Sequence, residues 1–122
     1  MKSLLLAAAV SAGLLSATAN VTGDWAISGD VQGYPISETC TFTQTDAKLA
    51  GTCTNAGKSY ATTGTIEDNK VVYKHGGEYQ GDALTLTYTG AIGDDGNYSG
   101  AIYVDPLAVN GSFAAKKATA AK

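Results

Sequence analysis

Glu38 and His75 are a carboxylate and an imidazole of the kind that together perform general acid–base chemistry, and Tyr60 and Thr62 add hydroxyl groups that could bind beside them. His75 is the only histidine in the chain. Ser59 offers a nucleophile, but by strand position it stands near neither Glu38 nor His75, and no elbow, triad spacing or second carboxylate accompanies the pair. The reading is therefore of a protein that is not an enzyme. Asp94-Asp95-Gly96-Asn97 resembles part of a calcium loop but lacks the closing Glu, and it reads as a hairpin turn. One His and one pair of cysteines suit a disulfide better than a metal, so no metal and no cofactor is expected.

Cys40 and Cys53 are the only cysteines, and Thr45-Asp46-Ala47-Lys48 lies midway between them. A turn there that sets Gln44 opposite Leu49 also sets Phe42 opposite Gly51 and Cys40 opposite Cys53. Directly opposed residues on antiparallel strands come close enough for a disulfide. One hairpin thus predicts a register, a redox state and an inward face.

The chain opens MKSLLLAAAVSAGLLSATA, with one basic residue, an apolar run and a small-x-small ending. This reads as a secretory signal peptide over 1–19, too short in its apolar run to be preferred as a membrane span. The expectation is a periplasmic or extracellular bacterial protein, a setting that permits a disulfide. A β-barrel domain is expected over 20–114 and a flexible tail over 115–122. With no arginine and a formal net charge of −3, the chain has little support as a nucleic-acid or phosphate binder.

Fifteen glycines punctuate runs rich in Thr, Val, Ile and Tyr, a composition that fits β-structure. Eight strands are expected at about 21–29, 36–44, 48–54, 59–66, 70–76, 83–92, 98–104 and 107–114, joined in sequence order as an all-β, antiparallel, up-and-down meander barrel with one disulfide. Gly23, Gly51, Gly64, Gly90, Gly100 and Gly111 recur two places before a larger residue, which puts each on the same face as that residue. Tightly curled strands need such sites, where no Cβ obstructs a neighbour. Matching faces sets Gly64 opposite Tyr73 and Thr62 opposite His75.

The connections at Asp30 to Pro35 and Gly77 to Asp82 read as the longer ones, and alternation puts both at one end, the mouth. Glu38, Tyr60, Thr62 and His75 would face inward near it, with Tyr34 and Tyr79 able to close over them. A few convergent polar groups in an apolar cup make a small-molecule site. Outward, Thr39, Thr41, Thr43, Thr52, Thr54, Thr63 and Thr65 would form an uncharged wall able to adsorb to a surface.

Gly23-Asp24-Trp25 on the first strand of a secreted eight-stranded meander resembles the calycins, the group of lipocalins, fatty-acid-binding proteins and avidins. That resemblance implies a small-molecule binder in which Trp25 plugs the closed end. Lipocalins pack a last-strand Arg on this Trp, and Lys116 and Lys117 are the residues available here. A second, narrower resemblance is to bacterial periplasmic inhibitors of metalloproteases: leader, Gly-x-Trp, then Cys40 and Cys53 beside Lys48 to Gly51. It implies a secreted protease as partner, engaged through an N-terminal arm, which here is Asn20-Val21-Thr22. The three expectations are a ligand-binding barrel, a protease inhibitor, and a structural or surface-adsorbing protein, with no nucleic-acid partner and no membrane span.

Overall fold

The computed structural model describes residues 20–118, so the expected leader over 1–19 and the end of the tail lie outside the described residues. The chain forms β1 (Gly23–Val31), β2 (Tyr34–Thr45), β3 (Lys48–Asn55), β4 (Lys58–Glu67), β5 (Lys70–Tyr79), β6 (Asp82–Ile92), β7 (Tyr98–Asp105) and β8 (Val109–Lys117). Each strand pairs antiparallel with the next and β8 pairs with β1, closing the barrel.

The cysteine hairpin has the register its sequence predicts. Gln44 faces Leu49, Phe42 faces Gly51 and Cys40 faces Cys53, and the last pair is disulfide-bonded with 4.0 Å between Cα atoms. Both cysteines are fully buried. Gly64 faces Tyr73, where an added Cβ would run into the Val72 carbonyl oxygen and come within 2.6 Å of the Tyr73 Cβ. At Gly51 the obstacle would be the Thr41 carbonyl oxygen. Glycine is required at both places because the neighbouring backbone occupies the space a side chain would take.

Aromatic rings fill one half of the barrel. Trp25 packs on Tyr98, Phe42 on Tyr73, and Tyr73 on Tyr88, each pair with ring centroids 4.8 Å apart, while Phe113 meets Tyr88 edge-on at 5.1 Å. The Trp25 Nε1 donates to the Val21 carbonyl at 2.9 Å. Over the same ring sits the Lys117 ammonium, 5.3 Å from the centroid, and it also donates to the Thr22 carbonyl at 3.0 Å. Trp25 thus seals the closed end under a cation from the last strand.

Four sequence expectations need correction. The connections expected to be long are two-residue turns, Gln32-Gly33 and Gln80-Gly81, with positive φ at both residues, and the flanking strands run on to meet them. Such turns match the twist of the strands they join, which is why the strands do not stop at Pro35 or Gly77. Leu107 lies in the β7–β8 turn, and β8 begins at Val109. Residues 115–117, expected in the tail, complete β8 by pairing with β1. Finally, Thr62 and His75 are not partners, because the β4–β5 ladder ends at Thr63 and Lys74.

Candidate functional site

Beyond that last rung the inner ends of β4 and β5 part. β4 residues 58–62 remain paired to β3, and β5 residues 75–79 to β6, but no ladder rung joins the two segments, which meet instead through side chains such as Lys58 and Glu78. Side chains take over two carbonyls there: the Thr62 hydroxyl donates to Tyr60 O at 3.0 Å, and His75 Nδ1 donates to Gly76 O. Tyr60 lies along this seam, its ring stacked on His75 at 5.8 Å and its Cδ1 3.6 Å from where a Gly76 Cβ would stand.

At the same end the barrel is hollow. A cavity of about 660 Å³ opens among the β1–β2, β3–β4, β5–β6 and β7–β8 turns. Apolar side chains from Val31, Ile36, Leu84, Leu86, Val104 and Val109 line it, so Leu84 walls the space and does not fill it. Tyr73 and Tyr88 belong to the packed half beneath. Of the residues expected at a site, Tyr34, Glu38, Tyr60, His75 and Tyr79 line the cavity. Thr62 is buried one step deeper on β4, outside the lining. Tyr34 and Tyr79, both exposed, meet edge-to-face across the mouth with centroids 5.5 Å apart.

Glu38 is buried at the side of the cavity, with three donors around its carboxylate. Tyr88 donates to Oε1 at 2.8 Å, Asn55 Nδ2 to Oε2 at 3.3 Å, and His75 Nε2 lies 3.2 Å from Oε1 and 3.1 Å from Oε2. Because His75 Nδ1 faces a carbonyl, which only accepts, and Nε2 faces a carboxylate, the arrangement suits an imidazolium donating from both nitrogens. Burial pulls the His75 pKa down, but the hydrogen bond and charge of Glu38, with the Gly76 carbonyl, outweigh it and raise the pKa above the ordinary 6.5. Burial, reinforced by the negative charge and hydrogen bond of Glu38, pushes the Tyr88 hydroxyl far above its usual range, so it stays a donor. At the rim Lys58 and Glu78 form an exposed ion pair at 2.7 Å, whose hydrogen bond raises the Lys58 pKa.

A Glu38 carboxylate oxygen and both cysteine sulfurs lie within 4.8 Å of one another. The sulfurs are spent on the disulfide, so this is no thiolate metal set. Ser59 points outward, its hydroxyl 3.1 Å from that of Thr54. The expected N-terminal arm lies against β2: Val21 is buried, its amide donates to Gln44 Oε1 at 2.9 Å, and the Thr22 hydroxyl accepts from the Gln44 amide at 3.0 Å. The outer Thr residues of β2, β3 and β4 are exposed, as expected.

Tyr88, Asn55, Lys58 and Glu78 are site residues that the sequence pattern did not single out. Tyr88 could have been found, since Tyr73 faces Tyr88 and His75 faces Leu86, placing Tyr88 diagonal to His75 on the same inner face. No family model matches the chain, and no curated protein matches it by sequence.

Proposed function

We propose that this protein is an exported small barrel that binds a small apolar or amphipathic molecule at its open end without catalysing a reaction, in the manner of a minimal calycin. The observation that carries this reading is the cavity itself: about 660 Å³, within the range of small-ligand sites, walled by aliphatic side chains on one side and convergent polar groups on the other. Trp25 under Lys117 at the opposite end supports the calycin comparison. Glu38 and His75 engage each other and their neighbours on every accessible atom, which suits a fixed polar wall better than a proton-transfer pair awaiting substrate. The buried disulfide accords with export.

The test is fluorescence titration with N-phenyl-1-naphthylamine, an uncharged probe that brightens in apolar sites. The wild type should bind it saturably, and Leu84→Trp, which places an indole in the cavity, should weaken binding by about tenfold or more. Equal binding by a folded Leu84→Trp variant would place the probe elsewhere and remove the support for a mouth site.

A further inference from the structure

The ionisable side chains lining the cavity, tyrosines aside, are Glu38, Lys58, His75 and Glu78. They form two closed pairs. His75 and Glu38 approach to 3.1 Å with side chains almost wholly buried, and Lys58 and Glu78 to 2.7 Å at the rim. Each positive group already has its own carboxylate, and each carboxylate its own cation. A ligand anion entering the cavity would find no free cation, and a ligand cation no free carboxylate. Either would be desolvated against aliphatic walls without a partner, which is costly for a charge.

The surroundings weigh further against anions. Asp30, Asp82 and Asp105 are exposed at the ends of β1, β6 and β7 on the mouth side, where Lys58 is the one lysine of the lining. A rim of carboxylates repels approaching anions. The cavity does offer hydrogen bonds to an uncharged group. Tyr60 lines it with a hydroxyl that has no hydrogen-bond partner among the described residues, and Asn55, which donates to Glu38, lines it from the neighbouring strand. These groups lie on the β2–β5 side, while β6, β7, β8 and β1 present aliphatic side chains.

Resting on the ligand-binding reading above, we infer that the cavity selects uncharged amphipathic molecules, with a hydroxyl or similar neutral polar group directed to Tyr60, and rejects carboxylates and ammonium ions of the same skeleton. The selectivity comes from the pairing of the lining charges. It does not come from the size of the cavity.

Displacement of N-phenyl-1-naphthylamine by 1-decanol, decanoate and decylammonium tests this, since the three differ only in the head group. The alcohol should displace the probe at about tenfold lower concentration than either ion. Glu78→Gln, a change at an exposed position of the lining, releases the Lys58 ammonium and should improve decanoate relative to decanol about threefold to tenfold, both measured on the same variant. Tyr60→Phe, which removes only the hydroxyl, should weaken decanol about fivefold relative to the probe on the same variant. An ion that displaces the probe as well as the alcohol overturns the inference while leaving the mouth site standing. So does a Glu78→Gln variant with an unaltered ratio of decanoate to decanol affinity. If the wild type does not bind the probe at all, the binding reading fails and this inference falls with it.

Discussion

A buried carboxylate at Glu38 needs donors, and it draws them from across the barrel. Tyr88 is 50 residues away in sequence, His75 is 37 and Asn55 is 17. Alternation along the strands shows that Glu38 and His75 face inward, so the presence of a polar cluster near the mouth is legible in the sequence. The way its atoms meet is not, because it depends on how far a phenol and an imidazole reach over the interior. The raised pKa of His75 gives a sign to the pH dependence. A group protonated more readily when folded contributes stability fully below its unfolded value of 6.5, and that contribution disappears as pH rises through the higher folded value. Thermal unfolding should therefore show a stability decline on the alkaline side of 6.5 that His75→Gln removes. Glu38→Gln leaves burial as the main influence on the imidazole, so NMR titration of the single histidine should show its pKa falling below 6.5, with a stability loss of about 1–3 kcal/mol. A His75 titration unmoved by Glu38→Gln would mean that the pair does not control that proton.

At the level of strands, the Cys40–Cys53 bridge and the β4–β5 seam are neighbours. Cys53 pairs in register with Tyr60, the residue that stands along the seam. The bridge locks β2 to β3, and β3 in turn holds the half of β4 that β5 does not. Replacing both cysteines by alanine should lower stability by about 2–5 kcal/mol. Hydrogen exchange should then accelerate first at residues 58–62, before the amides around Trp25. Uniform acceleration at both ends would show that the bridge supports the barrel as a whole and not this edge. Registers near tight turns were readable because Asp46-Ala47 and Asp68-Asn69 mark their centres and the opposing residues follow by counting. The seam was not readable, since counting continues the ladder past Thr63 and Lys74 where the backbones separate. The mouth turns are shorter than the sequence suggests for a related reason: Pro35 and Gly77 are usual turn residues, yet here they lie within strands.

The molecule as a whole divides into a solid end and a hollow one. Inward glycines let the strands curl over aromatic rings at the closed end, while aliphatic side chains of moderate size leave space at the other. Trp25, the only tryptophan, is 1% exposed within the solid half. Its emission maximum should be blue-shifted in the native protein and should stay in place when N-phenyl-1-naphthylamine saturates the mouth. A shift on saturation would mean that binding reorganises the closed end. The outer wall lies apart from both halves: the Thr rows of β2, β3 and β4 face solvent, where they add β-propensity and cross-strand hydrogen bonds such as Thr41 to Asp24 at 2.8 Å.

The two ends of the described chain meet at the sealed pole. Ala118 donates its amide to the Asp24 carbonyl at 2.9 Å, and the Lys117 ammonium reaches the Thr22 carbonyl. The described chain therefore enters and leaves the barrel on the side away from the opening. A sensor surface joined to the chain beyond Ala118 should therefore leave the opening accessible, so that N-phenyl-1-naphthylamine binds the immobilised protein as it binds the free one.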